Sequence, residues 1–137
     1  MIVLSIDPGE TTGYAICDSS QMSQERMPAL IETGILSRWR GLRSRIEEHT
    51  PDVIVAEKFV LYAGRAKMLN HSTLVVVRVL GVIQYLAEEM GIRLVEQLAS
   101  VGKSAHLPAE ILKECREEHI RDALRHTLAY LRSIGES

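Results

Sequence analysis

The chain has 137 residues, of which 46% are hydrophobic, and a formal net charge of −2. That length suits one domain, 1–137, with a single core that needs no disulfide or structural metal. Cys17 and Cys115 are far apart and form no Cys-x-x-Cys pair, so they define neither a zinc site nor a disulfide framework, and a reduced, cytoplasmic setting is expected.

In chain order, residues 2–6 form a short apolar run that reads as a buried strand, and Asp7-Pro8-Gly9 ends it with turn chemistry. Residues 14–17 and 30–36 read as two further strands around a polar connection near 19–26, so the first three strands should be an antiparallel meander. Residues 39–48 have helical spacing, and 53–57 is another apolar strand, introduced by Pro51-Asp52. The next element is a long helix over 72–90, with Ser72 as its N-cap and Gly91 as its stop. Residues 92–96 read as a fifth strand, and 108 onward as helix to about 134, with a break expected near 115–118. The fold class is therefore α/β, a five-stranded mixed sheet flanked by helices. The most apolar stretch, 74–86, is broken by Arg78 and Gln84 and is too short to span a bilayer. Its helix has no broad polar face, so it must be covered on two sides: by the sheet, and either by a second copy of the chain or by the rest of a wholly internal packing.

The negative total argues against a polyanionic partner, but its distribution is uneven. Arg38, Arg40, Arg43 and Arg45 cluster, and no acid occurs between Glu57 and Glu88 while Lys58, Arg65, Lys67 and Arg78 do. The first cluster either meets nucleic acid or keeps an outer face soluble. The second points to contacts with a sugar-phosphate backbone.

Asp7 and Glu57 each end an apolar strand, where two acids at neighbouring strand ends would repel and recruit a cation. His119 and Asp122 are spaced i, i+3 on the last helix and share a face at the edge of its apolar stripe. Taken singly, each has an ordinary reading: a turn, a charged strand end, a solvated helix edge. Taken together, they are four potential ligands rich in oxygen, a set that favours two Mg²⁺ or Mn²⁺ ions and phosphodiester hydrolysis.

The opening Ile6-Asp7-Pro8-Gly9-Glu10-Thr11-Thr12-Gly13-Tyr14-Ala15 resembles the first motif of the RuvC family, Val53-Ile54-Val55-Ala56-Glu57 its second, and His119-Ile120-Arg121-Asp122-Ala123-Leu124 its last. The resemblance implies an RNase H-like fold, Asp7, Glu57, His119 and Asp122 as catalytic metal ligands, and a homodimer formed through the 72–90 helix. It also implies nicking of four-way DNA junctions to leave 5′-phosphate and 3′-hydroxyl ends. Lys103 matches the family's phosphate-contacting lysine, and the place of its junction-probing aromatic falls near Phe59 or Val60, with Tyr62 nearby. Together with Lys58, Arg65, Lys67, Asn70 and His71, these residues form the expected DNA surface. The segment 97–118 is shorter and more acidic than the family's, and the short chain suggests a phage-type member, which would place it in the host cytoplasm. Rival readings are an RNase H-like enzyme that processes RNA and a branched-DNA-binding module without catalysis. A sugar-kinase type of ATPase would need a second related domain, for which the chain has no room.

Overall fold

The computed structural model describes residues 1–60 and 70–136. Tyr62, Arg65 and Lys67 lie outside the described residues.

Five strands form one sheet: β1 (Ile2–Asp7), β2 (Thr11–Met22), β3 (Pro28–Ser37), β4 (Val53–Glu57) and β5 (Arg93–Gln97), in the order β3-β2-β1-β4-β5. The first three strands are antiparallel, while β4 joins β1 and β5 joins β4 in parallel, so the sheet is mixed as expected. The β2 strand runs to Met22, well beyond the expected 14–17. Its polar end, Asp18 to Gln21, has no hydrophobic period to reveal it and is held by pairing of Asp18 and Met22 with β3.

The helices are α1 (Leu42–His49), α2 (His71–Met90), α3 (Ala99–Lys103), α4 (Ala109–Glu114) and α5 (Glu118–Ser133). The expected break near 115–118 separates α4 from α5. The α3 helix was not expected, since five residues are too few to show a period. The N-cap of α2 is Asn70, not Ser72: the Asn70 side chain accepts from the Thr73 backbone N–H at 3.0 Å, and the Thr73 hydroxyl accepts from the Asn70 backbone N–H at 2.9 Å. This reciprocal pair satisfies two orphan amides and outcompetes a cap two residues later. At the other end Gly91 adopts φ 67°, the left-handed stop that favours glycine.

Alternation along the strands sorts their side chains between two cores. Leu4, Ile6, Ile54 and Ala56 join α1 and α2 on one face, where Leu42, Ile46, Val75, Val79 and Ile83 are fully buried or nearly so. On the opposite face, Val3, Val53 and Val55 pack on Tyr130 and Leu131 of α5, and Ala15 and Cys17 pack on Ala123, Leu124 and Leu128. Ser5 and Thr127 lie on this second face, with their hydroxyls 2.6 Å apart and buried, which pins α5 to β1 at one register. The α2 helix is not internal: Leu74 is 49% exposed, Val77 44% and Tyr85 58%. Of the two coverings weighed for it, the wholly internal one is excluded. No helix among the described residues is long and apolar enough to cross a membrane.

Candidate active site

The strand period decides where the acids stand. Asp7 follows Val3 and Ser5 on the α5 face of β1, and Glu57 follows Val53 and Val55 on the same face of β4. These two strands are parallel neighbours, with Ile6 opposite Ala56, so both carboxylates emerge side by side at the carboxyl edge of the sheet. Asp7 is only 8% exposed.

The α5 helix brings the other two residues. A Cβ at Gly13 would overlap the backbone carbonyl of His119, so only glycine on β2 lets the first turn of α5 descend onto the sheet. At that depth His119 Nδ1 reaches Asp7 Oδ2 at 2.8 Å. Asp122, one turn further along, acts on both Asp7 and Glu57 through its charge. The structure thus sets His119 against Asp7, and Asp122 within electrostatic reach of Asp7 and Glu57.

Around Asp7 and Glu57 negative charge outweighs positive. Burial pushes the Asp7 carboxyl above its ordinary range, although the contact with His119 opposes the rise. Burial also lifts Glu57, to about 7, and the Asp7 charge beside it adds to the effect. Lys103 pulls Glu57 the other way. Lys103 is placed by close packing of α3 on α5: a Cβ on neighbouring Gly102 would come within 2.7 Å of His126 Nε2. His126 is buried, held neutral by desolvation, and its Nδ1 lies 2.8 Å from the side-chain amide of Gln97 at the end of β5.

The other described residues of the expected DNA surface do not form one patch with Lys103. Lys58 and Phe59 line a groove of ≈ 350 Å³ with Pro8, Glu57, Val76 and Leu98, directly beside the acids. Asn70 spends its side-chain oxygen on the α2 cap. His71 Nε2 stands 3.0 Å from Glu10, which also pairs with Arg38 at 3.1 Å. Two more arginines of that cluster are taken internally, Arg43 by Glu89 at 3.0 Å and Arg45 by Glu32 at 3.7 Å.

Sequence reasoning missed several residues that shape the site. Gly13 was in view as part of the first motif, but its close approach to His119 is a tertiary fact. Arg125 could have been noticed from its i, i+3 spacing to Asp122, since its Nη1 lies 2.5 Å from Asp122 Oδ1. Gln97 and His126 are 29 positions apart, and no local pattern links them.

No protein-family model matches the sequence, and no curated protein matches it. Solved structures do. Thermus thermophilus RuvC in complex with Holliday junction substrate superposes with a TM-score of 0.72 at 17% identity, covering 99% of this chain and 98% of that one. The fowlpox virus Holliday junction resolvase matches with a TM-score of 0.60 at 16% identity, over 97% and 99% of the two chains. The yeast mitochondrial Holliday junction resolvase matches with a TM-score of 0.61 at 12% identity, over 98% of this chain and 79% of that one. Five strands in this order, three antiparallel and two added in parallel, with α5 laid across the face that carries the acids, give this chain the RNase H-like fold of the RuvC-type Holliday junction resolvases.

Proposed function

We propose that the chain is a metal-dependent, structure-specific DNA endonuclease that resolves four-way junctions. The observation that carries this reading is the Asp7–Glu57 pair, two carboxyls side by side at one edge of a sheet with the fold of solved Holliday junction resolvases, both with raised pKa values.

The donor set fits a divalent cation. Three carboxylates and one imidazole, with no thiolate, are the chemistry of Mg²⁺ or Mn²⁺ sites, and a cluster short of positive charge gains stability when a cation binds. Asp7 is the hub, within hydrogen-bonding range of both His119 and Glu57. Asp7, Glu57, His119 and Asp122 would hold two such ions. When bound, the ions supply an activated water and stabilise the leaving 3′-oxygen, which leaves 5′-phosphate and 3′-hydroxyl ends. The protein's own part is positional. The parallel β1–β4 register fixes two of the ligands, and α5, locked by Ser5–Thr127 and admitted by Gly13, fixes the other two. Lys103 brings positive charge to the rim beside Glu57, where a scissile strand would lie.

In this reading Lys58, Phe59, Asn70, His71 and Lys103 contact the DNA, as do Tyr62, Arg65 and Lys67. The apolar stripe of α2 at Leu74, Val77 and Tyr85 meets the same stripe of a second copy, making a homodimer that can place two cuts in one junction. The chain acts as one domain in the cytoplasm, that of a bacterial cell or, for a phage-encoded protein, of its host.

The test is cleavage with Mg²⁺ or Mn²⁺ of four-way, three-way, flapped and linear DNA and of an RNA/DNA hybrid. Paired nicks in the four-way junction are expected. Preferential cutting of the hybrid would replace this reading with RNA processing, and binding without cutting would leave a recognition module.

A further inference from the structure

The helix that bears Asp122 also carries a cation. Arg125 Nη1 lies 2.5 Å from Asp122 Oδ1 and 2.9 Å from Glu118 Oε1, so a guanidinium already occupies one oxygen of a residue read as a metal ligand. Beside it opens a recess of ≈ 290 Å³ lined by Lys103, Ala105, His106, Leu107, Leu112 and Arg125. Its polar lining is basic and contains no carboxylate, and its other walls are apolar. Lys103 links it to the catalytic centre, because the Lys103 charge acts on Glu57. A concave, positively charged hollow beside acids at a nuclease centre suits a backbone phosphate, and a guanidinium fork matches phosphate oxygens in pairs.

We propose that Lys103, His106 and Arg125 form a binding site for a backbone phosphate of the DNA substrate, and that Asp122 engages the Arg125 guanidinium, which lines the site, in place of a phosphate until Asp122 takes a metal ion. The proposal rests on the metal-dependent nuclease reading. Its logic is charge exclusion: a divalent ion on Asp122 and a guanidinium on the same carboxylate repel each other, so the two cations compete for it. Released from Asp122, Arg125 keeps Glu118 at 2.9 Å and still lines the recess, where an incoming phosphate replaces the one lost acid. Metal and DNA then favour each other through one side chain, and linkage requires the coupling to run in both directions.

Two measurements on the full-length protein test this. The first is Mn²⁺ binding without DNA, followed by electron paramagnetic resonance, for the parent, Arg125→Gln and Arg125→Lys. Removal of a competing cation worth an ordinary partly exposed ion pair should tighten Mn²⁺ binding about threefold to fivefold in Arg125→Gln, while Arg125→Lys stays near the parent. The second is the salt dependence of four-way junction binding in EDTA and in Ca²⁺, which takes the same oxygen ligands, with DNA integrity checked on a denaturing gel. In Ca²⁺ the slope for Arg125→Gln should be smaller than the parent's by about one phosphate contact, and in EDTA the two should coincide. Equal Mn²⁺ affinities with coincident slopes in both media would overturn this inference and leave the nuclease reading standing. An equal loss of slope in EDTA and Ca²⁺ would overturn the gating by Asp122. A parent that binds no Mn²⁺ would overturn both.

Discussion

Among the described residues, two groups of carboxylates beside this sheet have opposite electrostatics. At the β3–α1 edge, donor atoms of Glu32, Glu48 and His49 lie within 4.8 Å of one another. The candidate active-site residues Asp7, Glu57, His119 and Asp122 include no trio that close. Closeness alone would therefore favour Glu32, Glu48 and His49. Glu32, however, accepts the Tyr14 hydroxyl at 2.6 Å and has Arg45 at 3.7 Å, and the Tyr14 bond above all, with His49 and Arg45, holds its pKa below the ordinary range. Its charge is already balanced. Asp7 and Glu57, buried side by side, are both pushed upward, and the missing positive charge is what a divalent ion would bring.

The sharpest way to break this contrast is to remove one acid from each cluster. With metal present, Asp7→Asn should lower single-turnover junction cleavage at least ~10³-fold, roughly 4 kcal/mol of transition-state stabilisation, while junction binding measured by mobility shift persists. Glu32→Gln should leave the cleavage rate unchanged.

Next in size is Gly13→Ala, which tests whether α5 must descend onto the sheet. The added methyl collides with the His119 backbone. Overpacking of this kind should cost about 2–3 kcal/mol in urea unfolding, and cleavage should fall along with it, because His119 and Asp122 move away from Asp7.

A smaller effect separates the clusters by pH. The folded-state pKa of Glu57 is raised from 4.5 to about 7, so the neutral form is favoured and the stability it contributes is present below pH 4.5 and lost as pH rises through 7. At pH 8 without metal, Glu57→Gln should therefore stabilise the protein by about 1–2 kcal/mol, the full shift being discounted because the group is only partly buried. Thermal melts at pH 4.5 and pH 8 should show the gain only at the higher pH, and metal should reverse its sign. Glu32 behaves oppositely: its folded pKa is lowered, so its contribution is present above 4.5 and fades as pH falls below that value. The smallest effect is accordingly that of Glu32→Gln, under ~1 kcal/mol at pH 7 in the same melts, as befits a largely solvated pair.

The sequence made the strand ends legible because β1 and β4 are apolar runs whose two-residue period puts Val3, Ser5 and Asp7, and likewise Val53, Val55 and Glu57, on one face. It also exposed the last helix, where His119 and Asp122 share a turn beside the apolar stripe. Other features were hidden for physical reasons. The α3 helix, which carries Lys103, spans five residues and shows no period. The Asn70 cap was masked by Ser72, since two acceptors stand near one helix start and only reciprocal bonding with Thr73 decides between them. The arginines near residue 40 read as a basic patch because Glu10, Glu32 and Glu89, which hold Arg38, Arg45 and Arg43, come from elsewhere in the chain. Charge that is neutralised across tertiary contacts leaves no local trace.

The central claim is that the Asp7–Glu57 pair is a cation site, and the most direct measurement is the titration of the Glu57 carboxyl by carbon-13 NMR, with and without Mg²⁺. The account expects a midpoint near 7 in the metal-free protein, falling below the ordinary glutamate value when Mg²⁺ is added. A metal-free midpoint near the ordinary 4.5 that Mg²⁺ does not move would contradict it.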